Sequence, residues 1–161
     1  MTMNRVLTIV LAVLVVFAIY LWWPSDEAAV KGRLGALGAA LSVPANEQDT
    51  GRLARLVRIR GFLAEDIHVR IAEQDLTPRD TLLAFVSRWT PPPAGATVAF
   101  SVDQLAFDGN GVARMHVTMT VTPGDGRPDD RDVRSADVDM AKRNGDWVVA
   151  SAETKDPVPV R

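Results

Sequence analysis

The chain of 161 residues carries 18 lysines and arginines against 20 aspartates and glutamates, and it contains no cysteine. A slightly acidic composition argues against a general nucleic-acid binder, which normally presents a basic domain. The lack of cysteine excludes disulfides, thiolate catalysis and cysteine-ligated zinc or iron–sulfur centres.

An uncharged apolar run begins at Val6 and ends at Trp23. As a helix it would be about 27 Å long, close to the hydrocarbon thickness of a bilayer. Arg5 precedes the run, and a pair of tryptophans closes it where aromatic rings favour the headgroup region. Residues 1–24 are therefore predicted to be a single-pass signal anchor in an inner or plasma membrane, with the amino terminus inside and the rest of the chain extracytoplasmic. A cleaved secretory signal is the alternative, although the run is long for one and no A-x-A motif precedes Ser25.

Residues 25–156 are predicted to form one domain, and residues 157–161 a flexible tail. The first helix of this domain begins at Ser25, a candidate N-cap that two carboxylates follow. Apolar residues recur along one side of this helix at helical spacing, at Val30, Leu34, Leu37 and Leu41. Glycines 32, 35 and 38 lie on a second face. They indicate either close helix packing or, as the preferred interpretation, a weakly propagating helix with small surface residues.

A second helix is predicted from about Asn46 to Gly61. Its inward-facing residues are expected to be Leu53, Leu56 and Val57, and the opposite side is crowded by Arg52, Arg55, Arg58 and Arg60. These arginines are candidate contacts for anionic headgroups or an acidic partner. A solvated helix face is the simpler interpretation, because arginine is a good helix former.

Two further signals precede the main β region. Residues 67–71 alternate between apolar and polar side chains, which is typical of a half-buried strand. Thr77, Pro78 and Asp80 fit the N-cap, the first helical position and the capping carboxylate of a third helix. That helix is expected to run to Trp89, where three prolines stop it.

The remainder is predicted to be β-structure. The apolar parity changes within the strand at residues 97–107, so a bulge near Asp103 and Gln104 is expected. The Asn144-Gly145 pair predicts a tight two-residue hairpin. The other predicted elements are a turn at 108–111, a strand at 112–122, a polar loop at 123–130, and strands at 132–142 and 147–153.

This order of elements resembles the nuclear-transport-factor-2-like superfamily, which includes the SnoaL-like and ketosteroid-isomerase-like cone folds. The likeness runs from about Ala28 to Glu153. It rests on GFLAEDI at residues 61–67, on LTPRD at 76–80 and on the terminal Gly-Asp-Trp hairpin. The resemblance implies an α+β cone, in which a curved antiparallel sheet packs on about three helices and leaves a pocket at its open end.

Catalytic residues do not carry over from that resemblance. In enzymes of the superfamily an Asp, alone or with a His, faces the pocket and moves protons, but no position here matches such a motif. The candidates are His68, His116, Asp137 and Asp139. Each lies on the polar parity of its strand, so solvated histidines and cross-strand ion pairs with Arg114 are the simpler interpretation.

Other residues are candidates for binding rather than chemistry. A hydrophobic ligand pocket, or an ordinary core, would use Phe85, Trp89, Phe100, Met115, Met119 and Met140. The acidic loop, with Asp125, Asp129, Asp130 and Asp132, lacks the spacing of a calcium-binding EF-hand. No metal site and no cofactor is predicted, since phosphate-loop, nucleophile-elbow and metal-triad motifs are missing from the sequence.

These observations predict a membrane-anchored, extracytoplasmic, non-catalytic binding or scaffold domain of a bacterial-type envelope complex. Its expected partners are the lipid bilayer and another protein or a second copy of itself, with no nucleic acid. Architecture alone supports the envelope assignment, through likeness to accessory domains of secretion scaffolds and lipid-transport machinery. A carrier of a small apolar or lipid-like ligand is the first alternative, and an isomerase- or hydratase-like enzyme is the second.

Overall fold

The computed structural model describes residues 3–22 and 25–154, so Trp23, Pro24 and the predicted tail at 157–161 lie outside the described residues. The elements in chain order are α1 (Met3–Trp22), α2 (Asp26–Leu41), α3 (Asp49–Arg60), β1 (Leu63–Ile71), β2 (Gln74–Asp75), α4 (Arg79–Arg88), β3 (Ala96–Phe107), β4 (Val112–Pro123), β5 (Asp132–Arg143) and β6 (Asp146–Thr154). A single 3₁₀ turn, Pro128–Asp130, lies in the polar loop before β5. The predicted α+β class is confirmed.

Helix α1 stands apart from the packed core. Its twenty residues make a helix about 30 Å long, enough to cross the hydrocarbon region. The described side chains from Thr8 to Leu21 are all exposed. The described part of the structure thus contains one helix, near the amino terminus, that is long and apolar enough to span a membrane. A signal sequence can have the same length and composition.

Helix α2 begins as its sequence predicts. The side chain of Ser25 caps it by accepting a hydrogen bond from the Ala28 amide at 3.2 Å. Three residues of the predicted apolar side, Val30, Leu34 and Leu37, are buried against the sheet. Because side chains three and four positions apart share a helix face, this spacing alone determines which side of α2 faces the core.

The glycines of α2 do not share one environment. Gly32 and Gly35 have open space where a β-carbon would be, as the preferred interpretation expects. Gly38 packs closely on β3, where a β-carbon would lie 3.0 Å from the Val98 carbonyl oxygen and 3.2 Å from the Phe100 ring. The close-packing interpretation therefore applies to this one position.

Helix α3 turns a different face inward from the one predicted. Leu53 and Val57, expected in the core, are 64% and 71% exposed. Ile59 and Arg55 are buried instead. The guanidinium of Arg55 forms a bidentate pair with the Glu47 carboxylate, Nε to Oε1 at 2.8 Å and Nη2 to Oε2 at 3.1 Å. This pairing offsets the cost of burying the arginine's charge. The side of α3 that faces the core is therefore the one that carries Arg55 and Ile59.

Six strands form one curved sheet in the order β2-β1-β6-β5-β4-β3. Four of the five pairings are antiparallel, but β1 runs parallel to β6 and closes the sheet with long-range contacts. The expectation of an entirely antiparallel sheet is corrected at this pairing. Strand β1 is longer than predicted, and the two-residue strand β2 was not predicted.

The local β signals are confirmed. The register of β3 against β4 shifts between Val102 and Gln104, at the predicted bulge. Asn144 and Gly145 both have positive φ angles, 52° and 87°, as a two-residue turn between twisted strands requires.

Helix α4 starts later than its capping signal predicts. It begins at Arg79, and Pro78 precedes it without a side-chain cap. The Thr77 hydroxyl lies instead 3.2 Å from Nδ1 of His68. Helices α2, α3 and α4 pack on the concave side of the sheet, where the apolar core forms.

Candidate functional site

A cavity of about 250 Å³ lies between the helices and the concave side of the sheet. Its helical wall is aliphatic and uses the carboxyl-terminal half of α2 together with α3 and α4. The residues of this wall are Leu34, Leu37, Leu41, Ile59, Leu82 and Val86. The apolar side of α2 that faces the core therefore also forms much of the cavity wall.

The sheet wall is equally apolar. Phe100, Val117 and Met119 come from β3 and β4, and Ala136 and Val138 come from β5. The other apolar residues of this wall, on β1 and β6, are Leu63, Ile67, Val69, Ile71, Val149 and Ala152. Small residues such as Ala136 and Ala152 leave room that larger side chains would fill, which is why the core contains a cavity here.

Charged groups lie at the rim, where strands begin or end. Arg70 and Glu153 are exposed and are opposite each other in the β1–β6 register. Arg134, opposite Met119 in the β4–β5 register, donates from Nε to Oδ2 of Asp132 at 3.0 Å. The two arginines and the two carboxylates balance in charge, so the rim does not favour ligands of one charge sign.

The four catalytic candidates all lie on the convex side of the sheet, and none lines the cavity. His116 and Asp137 face each other across β4 and β5, with Nδ1 and Oδ1 2.8 Å apart and their side chains 42% and 69% exposed. Asp139 lies opposite Arg114 in the same register. The cross-strand contact that the structure shows for these aspartates is thus between Asp137 and His116, not the predicted ion pair with Arg114.

His68 belongs to a second polar group on the convex side, beside β2. Its neighbour Thr77 donates its backbone N–H to Oδ1 of Asp75 at 3.0 Å. Hydrogen bonds from the side chain and then the backbone of Thr77 lower the pKa of Asp75 below its ordinary value. His68, Arg70 and Asp75 line a cleft there with residues of β6. This cleft meets the apolar cavity at the rim, where Arg70 and Glu153 line both, but His68 and Asp75 do not line the cavity.

The six residues named for an apolar pocket divide into three groups. Phe100 and Met119 line the cavity. Met115 and Met140 are buried in the core beside it, 4% and 1% exposed. Phe85 and Trp89 of the α4 segment are 43% and 42% exposed and face outward. Most of the lining is Leu, Ile and Val. The sequence does not single these residues out, because a residue that lines a cavity has the same pattern as one that fills it.

The structure also separates the arginines of α3. Arg55 is buried in its ion pair and does not belong to an exposed arginine face. Arg52 donates to the carbonyl oxygens of Ser87 and Trp89, which ties α3 to the end of α4. Of the three predicted contact residues, only Arg58 is exposed, and its neighbour Arg60 is exposed as well.

Among residues 3–22 and 25–154, no group of three His, Asp or Glu side chains is arranged to hold a metal ion. In the acidic loop, Oδ2 of Asp130 accepts the Arg127 amide at 3.0 Å, as part of the local turn.

The proteins that resemble this chain are found among solved structures and not among known sequences. An NTF2-like protein of unknown function from Shewanella oneidensis is 12% identical, with a TM-score of 0.64 over 82% of this chain and 100% of that one. An NTF2-like protein with a cystatin-like fold from Novosphingobium aromaticivorans is 12% identical, with a TM-score of 0.63 over 89% and 90%. A protein from the same organism described as a putative scytalone dehydratase is 13% identical, with a TM-score of 0.58 over 84% and 95%.

No protein-family model and no curated protein sequence matches the chain. The structural neighbours show that it has the nuclear-transport-factor-2-like, or cystatin-like, cone fold. At this level of identity the likeness extends to the fold alone, because this fold hosts many unrelated activities.

Proposed function

We propose that this protein is a membrane-tethered binding protein that holds a small apolar ligand in the cavity of its cone. The observation that carries the proposal is the cavity of about 250 Å³ with an almost wholly aliphatic lining. Ligand pockets typically measure about 300–1,000 Å³, and apolar cavities of roughly 150 Å³ can take up benzene. A ligand of modest size, with an apolar body and no net charge, fits both the interior and the balanced rim.

An enzyme is less well supported, although one structural neighbour is described as a putative dehydratase. Proton transfer needs an imidazole or carboxylate within hydrogen-bond reach of the reacting atom. Both histidines and the Asp137–Asp139 pair lie on the far side of the sheet from the cavity, and the one carboxylate among the lining residues, that of Glu153, is exposed at the rim. Binding without chemistry is therefore the simpler function for this cavity.

We further propose that α1 anchors the domain in an inner or plasma membrane, with the domain outside the cytoplasm. The length, composition and exposure of α1 support the anchor, and Arg5 before the apolar run supports the orientation. Because the chain has no cysteine, single cysteines placed at exposed sites of the domain give a clean topology test. Labelling of intact cells by a membrane-impermeant maleimide supports this orientation, and labelling only after lysis overturns it.

Ligand binding is tested on the full chain purified in detergent. Titration with N-phenyl-1-naphthylamine, which fluoresces in apolar surroundings, is measured against the same detergent without protein, because micelles also take up the probe. The protein-dependent part of the signal should saturate at one site per chain. Ala136→Leu places extra methyl groups in the cavity and should weaken probe binding at least about tenfold, a difference of about 1.4 kcal/mol. Ala99→Leu, the same change at an exposed position on β3, is the matched control and should leave the affinity unchanged.

Equal affinity in the two variants would overturn the cavity assignment, provided that both melt at the temperature of the unmodified protein. Native mass spectrometry of the detergent-extracted protein adds a second readout. A retained small mass that Ala136→Leu abolishes supports the carrier. A retained protein partner in place of a small mass favours the envelope-scaffold function.

A further inference from the structure

We propose that the exposed face of α3 docks on the surface of an anionic bilayer, next to the point where α1 would enter it. The proposal rests on the tether proposed above and concerns a surface distinct from the cavity. Its central residues are Leu53 and Val57, flanked by Arg58 and Arg60. We call these four residues the α3 face.

The α3 face exposes apolar side chains in an unusual way. Leu53 and Val57 are 64% and 71% exposed, the highest values among the large apolar residues described beyond α1. They are four residues apart, so they lie side by side on the helix. The inward side of α3 is occupied by Arg55 and Ile59, so the helix cannot rotate to bury them without exposing that ion pair.

The charges of the α3 face suit an anionic surface. Among the described residues, no carboxylate pairs with Arg58 or Arg60, whereas Arg55 and Lys31 each have an acidic partner. A short helix with apolar residues at its centre and arginines at its sides is the pattern of interfacial helices, whose apolar side chains enter the headgroup region while the cations contact lipid phosphates.

The connection to α1 keeps this face near the membrane. Three residues separate Trp22 from Asp26, a distance of at most about 14 Å along the chain. The far end of α3 is fixed to the first half of α2, because Nη2 of Arg33 donates to the Gly61 carbonyl at 2.9 Å. Arg33 is seven positions beyond Asp26, or about 10 Å along the helix. The carboxyl-terminal turn of α3 thus lies beside the first half of α2, the part of the domain that is nearest to α1 along the chain.

A bilayer fits this surface better than a protein partner does. A stable protein interface buries about 800 Å² on each side, well beyond two apolar side chains and their neighbours. A tethered domain needs much less, because the tether already holds it at high effective concentration beside the lipid. A weak contact is therefore enough to orient the domain.

The test uses the full chain, reconstituted in nanodiscs of phosphatidylcholine with or without phosphatidylglycerol. The chain has no native cysteine, so Val57→Cys takes a single environment-sensitive fluorophore. Thr97→Cys is the matched control, because it is exposed and lies at the start of β3, beside the loop that follows the far end of α2. Position 57 should show a blue shift and quenching by brominated lipids in the anionic discs, and position 97 should show neither.

Arg58→Gln with Arg60→Gln should reduce the docked-to-undocked ratio about 25-fold, about fivefold for each charge.

Equal accessibility of positions 57 and 97 to an aqueous quencher in anionic discs would overturn the proposal. So would a blue shift that also occurs in detergent and grows with protein concentration, because that outcome indicates contact between copies of the chain. Failure of the protein to co-elute with the discs would overturn the tether itself and this proposal with it. The absence of a fluorescence change at position 57, with normal co-elution, would overturn the docking of α3 and leave the tether intact.

Discussion

The inside and the outside of the cone wall have opposite chemistry, even at neighbouring positions of one element. On β1, Ile67 is fully buried and the adjacent His68 is exposed. On β5, Val138 lines the cavity while Asp137 pairs with His116 on the convex side. Every ionisable group that was a candidate for catalysis lies outside, and the cavity wall is apolar.

This separation bears directly on function. An apolar ligand site needs an apolar wall, which the inside provides, whereas acid–base catalysis needs an ionisable group within reach of the reacting atom. Within the part of the chain that the structure describes, Arg55 and Glu47 form a charged pair on the inward side of α3, and two hydrogen bonds hold it. Matched substitutions at inward-facing and outward-facing positions show how differently the two sides contribute to stability.

The largest effect is expected at the arginines of α3. Arg55→Ala leaves the Glu47 carboxylate buried without its partner and should lower the free energy of unfolding by about 3–5 kcal/mol. Arg58→Ala, on the exposed side, should change it by less than about 0.5 kcal/mol. Urea unfolding followed by circular dichroism measures both. Similar values for the two variants would mean that the buried pair contributes no more than a surface charge.

The neighbours Ile67 and His68 provide the same comparison in the sheet. Ile67→Ala removes a fully buried side chain and should cost about 2–5 kcal/mol, because the cavity wall cannot collapse completely around the loss. His68→Ala should stay within about 0.5 kcal/mol. The same unfolding assay applies, and a large loss at His68 would show that its contact with Thr77 matters more than exposure suggests.

Two glycines test the same distinction on α2. Gly35→Ala enters open space and should stabilise the protein by about 0.5–1 kcal/mol through helix propensity. Gly38→Ala meets the Val98 carbonyl and the Phe100 ring and should destabilise it by about 1 kcal/mol. Thermal unfolding should therefore move in opposite directions, and parallel shifts would contradict the close approach of α2 to β3.

A smaller effect is expected for the His116–Asp137 pair on the convex side. A double-mutant cycle with His116→Ala and Asp137→Ala should give a coupling of about 0.2–1 kcal/mol at low salt, because both groups are substantially exposed. Added salt should weaken it. A coupling above that range, unaffected by salt, would indicate that this part of the convex face is shielded from solvent.

The smallest effect concerns Asp75. Hydrogen bonds from Thr77 lower its pKa in the folded state, so its contribution to stability is present above the unfolded pKa and is lost as the pH falls through the folded value. Thr77→Val removes the hydroxyl and should bring the pKa of Asp75 closer to its ordinary value, as NMR titration of the carboxyl carbon would measure. An unchanged titration curve would assign the shift to the backbone amide alone.

Local signals in the amino-acid sequence were sufficient for much of this fold. Side-chain spacing placed α2 and its buried side, the change in apolar parity placed the bulge in β3, and Asn144-Gly145 placed the final hairpin. Each of these depends on residues within a few positions of one another, so neighbouring side chains and backbone preferences decide it. The uncharged run was identified by the same kind of local reasoning, from length and composition alone.

Only the tertiary structure decided the features that depend on contacts outside a single helix or strand. The inward side of α3 follows from the availability of Glu47 to neutralise Arg55, and the parallel pairing of β1 with β6 joins segments about eighty residues apart. The cavity is also a tertiary property, because it is the space left over when side chains from three helices and five strands meet. Leu, Ile and Val have the same sequence pattern whether they fill a core or line an opening, and packing density, which no single segment determines, makes the difference.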